Sequence, residues 1–231
     1  MSFKNKENLN ALNKKIVECK KCKRLVLFRN KIAKDKRKMY LNETYWAKPV
    51  TGFGDVNANL LIIGLAPAAH GGNRTGRVFT GDKSSEFLFE CLGTVGISNQ
   101  KFSLHKNDNL KLNNSYLTLS LKCVPPNDKP TSLELKNCYS FFREELNYLE
   151  NVKTILALGK VAFDSIVNFY KEQYNRPLKG YKFSHGVEFV LPDKRKLVGC
   201  YHPSPRNVNT GRIDKKKFTL LIRKVLKNNK I

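Results

Sequence analysis

Two loops and four cysteines hold most of the residues whose types and spacing could do chemistry. The first loop, GLAPAAHGGNRTGRVFTGD, runs from Gly64 to Asp82. Its many small residues let backbone approach a ligand closely, and it gathers His70, Asn73, Arg74, Arg77, Phe79 and Asp82. It contains neither the GxxxxGK[ST] pattern of a phosphate-binding loop nor the GxGxxG pattern of a dinucleotide site. The second loop, HPSPRN, spans His202 to Asn207. Its two prolines fix the backbone while His202, Ser204 and Arg206 project from it, as suits a loop pressed into a nucleic-acid groove. Ordinary alternatives stand beside these readings. His202 beside a proline could be a packed turn residue, and Asp82 could be the N-cap of a following helix or one half of a loop salt bridge.

The cysteines fall into two sets. Cys19 and Cys22 form a CxxC, and Cys123 and Cys138 lie far downstream on either side of a proline-rich stretch. Four thiolates suit zinc or an iron–sulfur cluster equally by count. The wide second pair looks more like a cluster tying separated segments together than a compact zinc ribbon, and burial as small apolar side chains remains the plain alternative. Cys91 and Cys200 sit among apolar residues and read as core.

Lys and Arg number 43 against 19 Asp and Glu, a formal charge of +24. Such a surface draws polyanions and speeds encounter with nucleic acid, although charge alone names neither the nucleic acid nor a reaction. No apolar run is long enough to span a bilayer, and the basic N-terminus lacks the apolar stretch of a signal peptide. The expected protein is soluble and cytoplasmic, a monomer with no membrane partner.

These groups need a scaffold. The 231 residues suffice for one α/β domain covering 1–231. The continuous apolar run at 60–64 reads as a buried parallel strand, with further strands at 115–121, 152–158 and 196–200. Helices are expected at 8–18, 84–92, 131–150, 160–171 and 214–227, the third opening on a capping box of Thr131 and Glu134. The sum is a four-stranded, mostly parallel sheet flanked by helices, with sites at the carboxyl ends of its strands.

The two loop motifs, their order and their separation closely resemble the family-5 (UDGb-type) branch of the uracil-DNA glycosylase superfamily, from Cys19 to about Arg212. The cysteine arrangement is similar to that shared by the family-4 and family-5 enzymes. The resemblance implies a [4Fe–4S] cluster on Cys19, Cys22, Cys123 and Cys138. It also implies a prokaryotic, nucleoid-associated repair enzyme acting on damaged double- or single-stranded DNA. Under it, His202 stabilises the departing base, Asn73 positions the attacking water with Asp82 in reserve, and Phe79 stacks on the base. Gly64, Ala66, Ser204 and Arg206 complete the substrate-binding set. Two departures matter. Many relatives carry an acidic residue where this chain has Ala66, and family-4 relatives an Asn where it has Leu119. Both point beyond uracil, to deaminated purines such as hypoxanthine. The rivals are a non-catalytic nucleic-acid-binding protein built on a metal cluster, which the charge and cysteines would suit equally, and a hydrolase of free nucleosides, which would not need +24.

Overall fold

A computed structural model describes residues 2–229; Met1, Lys230 and Ile231 of the expected 1–231 unit lie outside the described residues. The chain runs α1 (Ser2–Glu18), α2 (Lys23–Lys34), β1 (Phe53–Gly54), β2 (Leu60–Gly64), α3 (Gly72–Thr75), α4 (Lys83–Thr94), β3 (Ser115–Leu119) and α5 (Ser132–Tyr148). It continues through β4 (Thr154–Leu158), α6 (Lys160–Gln173), β5 (Glu188–Val190), β6 (Lys196–Cys200), α7 (Pro205–Asn209) and α8 (Lys215–Asn229).

The sheet has six strands in the order β1-β3-β2-β4-β6-β5. The four central strands are parallel. The expected count of four is corrected by antiparallel edge strands, β1 beside β3 and β5 beside β6. Each central strand is covered on both faces, which is why its sequence is a run rather than an alternation. In β2, Leu61 and Ile63 enter one apolar cluster with residues of α1, α5 and α6, while Leu60 and Ile62 enter another with residues of α4 and α8. Cys91 and Cys200 are buried in the second cluster, as their surroundings suggested. The Thr131–Glu134 capping box opens α5, and an Asp82–Ser85 capping box opens α4.

This topology fixes where a ligand can enter. From β2 the chain goes to β3 on one side, then returns to β4 on the other. The connections at the β2 and β4 carboxyl ends therefore diverge and leave a crevice between them.

Candidate active site and four-cysteine cavity

A pocket of about 430 Å³ lies at that crevice. Leu65, Ala66, Pro67 and Ala68 enter from the end of β2, and Leu119 from the end of β3. Leu158 to Ala162 come from the β4–α6 junction, Phe79, Asp82 and Ser84 from the rest of the first loop, and His202, Ser204 and Pro205 from the second. The two loops, more than a hundred residues apart in sequence, thus face one space.

Phe79 shows how the backbone shapes the pocket. It holds φ at +47°, a conformation that a bulky residue adopts only when its surroundings impose it. A Cβ on Gly64 would lie 2.6 Å from the Phe79 ring, so the last residue of β2 must be glycine for the ring to cross the strand end. Gly64 itself is buried and does not line the pocket; its contribution passes through Phe79. Opposite stands His202, its ring centroid 6.4 Å from that of Phe79 and tilted by 32°. The His202 backbone carbonyl accepts from Asn207 Nδ2 at 2.8 Å, while its ring has no protein hydrogen-bond partner among the described residues. Burial pushes the imidazole pKa down to about 4. The ring is neutral at physiological pH and can donate one N–H to an oxygen acquiring charge.

Asp82 combines two jobs. Its carboxylate accepts from Ser85 N at 2.9 Å, capping α4, and it also borders the pocket. Burial pushes its pKa above the usual carboxylate range, partly offset by the Ser85 and Ser84 N–H groups. A Cβ on Gly71 would collide with this carboxyl group, so the glycine there makes room for it. Asn73 points elsewhere. It is 1% exposed, lies outside the pocket lining, and donates through Nδ2 to the Arg29 carbonyl on α2 at 3.4 Å.

Arg74 and Arg77 are buried and hold the first loop together. Arg74 reaches the His70 and Gly81 carbonyls and pairs with Glu43. Arg77 grips both oxygens of Asp108 at 2.7 Å. Ser204 caps α7 through Asn207 N, and Arg206 is left exposed beside it, free to meet a phosphate. The β4–α6 junction carried no motif in the sequence, yet it supplies a wall of the pocket. Gly159 sits at φ +97°, and a Cβ added there would lie 3.6 Å from the His202 Cβ; the first turn of α6 opens onto the pocket, where the helix dipole favours negative charge. The strand–Gly–helix pattern at a crossover was the available signal.

The other four candidates meet on the far side of the first loop. Cys19, Cys22, Cys123 and Cys138 line a single small apolar cavity, and all are free thiols. Arg29 Nη1 donates to Cys123 Sγ at 3.1 Å, Lys122 N to Cys138 Sγ at 3.3 Å, and Asn137 Nδ2 to Cys22 Sγ at 3.6 Å. Arg29 is 4% exposed; among the described residues it has no carboxylate partner, and its Nε has no partner. A buried guanidinium paired only with the Cys19 carbonyl and a neutral thiol lacks a counter-charge, and Cys123 could supply one only as a thiolate. Burial pushes Cys123 up to about 11, with Arg29 pulling it back, and Cys138 up to about 12, with the Lys122 N–H and charge pulling it back. Both thiols stay protonated unless a metal displaces the proton. Among the described residues, no three His, Cys, Asp or Glu side chains are grouped to hold a single ion.

A mostly parallel sheet flanked by helices, with its pocket at the strand-order reversal closed by these two loops, defines a class that comparison makes specific. Residues 51–226 match the uracil DNA glycosylase superfamily, and the chain belongs to that superfamily. Within it, the chain is 40% identical to the type-5 uracil-DNA glycosylase of Thermus thermophilus, over 88% of this chain and 90% of that protein. It is 40% identical to the type-5 enzyme of Pyrobaculum aerophilum, over 86% and 84% of the two chains. It is also 40% identical to that of Mycobacterium leprae, over 87% of each.

Proposed function

We propose that this protein is a monofunctional DNA N-glycosylase of base-excision repair, hydrolysing the glycosidic bond of uracil, and of hypoxanthine, to leave an abasic site. The observation that carries this is the facing of Phe79 and a neutral His202 across one pocket at the strand-order reversal, in a chain matched over most of its length by type-5 uracil-DNA glycosylases.

A base within a duplex is out of reach, so the nucleotide is flipped into the pocket. Phe79 gives the base a face to stack on, worth about 1–3 kcal/mol. As the C1′–N bond breaks, the sugar gains positive charge and the base carries the electron pair away. His202 donates to the base oxygen, and the first turn of α6 lies where that negative charge collects; one placed donor contributes about 3–4 kcal/mol. Water adds to C1′ and loses a proton. Asp82 borders the pocket and has raised proton affinity, so we assign it the water; Asn73 is bound to α2 and acts on the loop's shape. Arg206 meets the phosphate backbone. Ala66 and Leu119 keep their part of the wall apolar, so neither leaves a polar group unpaired when a purine replaces uracil.

Cys19, Cys22, Cys123 and Cys138 would hold a [4Fe–4S] cluster, with Arg29 as its buried counter-charge. When bound, that group supplies a structural tie between the α1–α2 corner, the β3–α5 connection and α5. We read residues 1–231 as one domain, acting as a monomer in the cytoplasm on damaged double- or single-stranded DNA, close to the nucleoid. No helix among the described residues is long and apolar enough to cross a membrane, and the relatives come from bacteria and archaea.

The test is incision of end-labelled oligonucleotides containing one uracil or hypoxanthine, followed by alkali. Alkali-labile sites at the lesion support the assignment. Binding without any abasic product would leave a non-catalytic cluster protein as the better reading.

A further inference from the structure

Extracting a base leaves a hole in the stack, and in a duplex the partner strand's base tends to drive it back. An enzyme that fills the hole with an apolar side chain holds the flipped state. The second loop is poorly equipped for this, because its exposed tip is Arg206, followed by Asn207. The segment before β3 is different. Phe102 is 47% exposed and Leu104 53% exposed, alternating with Ser103, which is 3% exposed. The two large apolar side chains therefore point outward together while the residue between them is anchored.

The anchorage is unusually complete. Ser103 Oγ meets Thr80 Oγ1 at 2.7 Å and accepts from Arg77 Nη2 at 2.9 Å. Asp108 closes the turn by accepting from the backbone N–H groups of Leu104, His105 and Leu110. The Ser103 carbonyl accepts from Gly81 N at 2.8 Å, which sets the segment one residue from Asp82 on the pocket wall. Lys101, His105 and Lys106 are exposed around the apolar pair, a setting complementary to DNA phosphates. Two exposed hydrophobes on a braced, basic loop beside the pocket are expensive to leave in water and suit one occupant, the space between base pairs.

The geometry points to Phe102 and Leu104 as a wedge that enters the duplex beside the extruded nucleotide, fills the gap and keeps the base in the pocket. This rests on the glycosylase reading. It adds a positioning element outside the two loop motifs, and the wedge is required only where a duplex must be opened.

The test compares the double variant Phe102→Ala/Leu104→Ala with the wild type in single-turnover excision of uracil. One substrate is a duplex with uracil paired to adenine; the other is the same strand alone. Both side chains are exposed, so the fold is undisturbed and the single-strand rate should stay within about twofold, while the duplex rate should fall about tenfold or more. Placing a bulky, non-pairing aromatic group opposite the uracil, to expel it without help, should restore most of the lost rate. Equal losses on both substrates, an unchanged duplex rate or no restoration by the opposing group would overturn the wedge. A wild type that cuts neither substrate overturns the glycosylase reading, and the wedge with it.

Discussion

The strand-end pocket and the four-cysteine cavity both bury groups that burial drives toward neutrality, but they surround them differently. In the pocket, burial shifts His202 and Asp82 toward neutrality, and the His202 ring has no protein partner among the described residues. At the cavity, three of the four thiols are met by N–H donors and a buried guanidinium waits beside them. The first arrangement leaves capacity for a ligand that comes and goes. The second would suit a group that stays. Substitution should therefore separate rate from stability.

The sharpest break is His202→Ala. Losing one placed donor should slow single-turnover uracil excision about 10²–10³-fold with the melting temperature at neutral pH nearly unchanged, since the ring makes no protein hydrogen bond among the described residues. A loss below about threefold would remove His202 from the leaving-group role. Asp82→Asn and Asn73→Ala divide the water question. We expect Asp82→Asn to cost about 10²-fold in rate, and Asn73→Ala to cost about 1 kcal/mol in stability instead, read by denaturant titration. The reverse pattern would return the water to Asn73. At the cavity, Cys138→Ser should remove iron and brown colour and lower the melting temperature on the order of 10 °C. The surviving folded fraction should cut at near the wild-type rate. Stoichiometric zinc in protein prepared without oxygen would refute the cluster.

Smaller effects refine the same division. Arg206→Ala should weaken binding to all sequences alike and reduce the slope of log affinity against log salt by about 1, without altering base preference. Acid should also tell the regions apart. His202 has its pKa lowered to about 4 on folding from an ordinary 6.5, so between these values the unfolded chain binds more protons. Its contribution to stability is intact above pH 6.5 and is lost as pH falls toward 4. In His202→Ala that part of the acid destabilisation should vanish, as measured by melting temperature against pH.

Much of the scaffold was legible because its four central strands are buried on both faces and read as unbroken apolar runs. The edge strands were not. Phe53–Gly54 and Glu188–Val190 are too short to show a period, and their side chains are only partly covered. Helix α2 was missed for a related reason: KRLVLFRNKIAK interleaves basic and apolar residues, and only Leu25 and Arg29 are buried. That omission had a cost at the site. Asn73 is a residue type able to orient water, and only the Arg29 carbonyl on α2 explains why it turns away. His202, Phe79 and Asp82 stood out through the resemblance of their loops rather than by residue type alone, and all three border one pocket. Gly64 was readable as important but not in its role, which depends on a ring fifteen residues later. The β4–α6 wall had no chemical signature and followed only from strand order.

The hydrogen bond from Asn73 to the Arg29 carbonyl, with the Arg29 guanidinium resting on Cys123, has a consequence for the energetics of sequence change. It joins a residue of the substrate loop to a thiol of the cavity through one intervening amino acid. Residues sharing a partner do not contribute independently. Altering either end relaxes the arginine and reduces what the other end still has to lose. In a double-mutant cycle, Asn73→Ala and Cys123→Ser should then sum to more than the pair costs together, so the two motifs are free to drift only in concert.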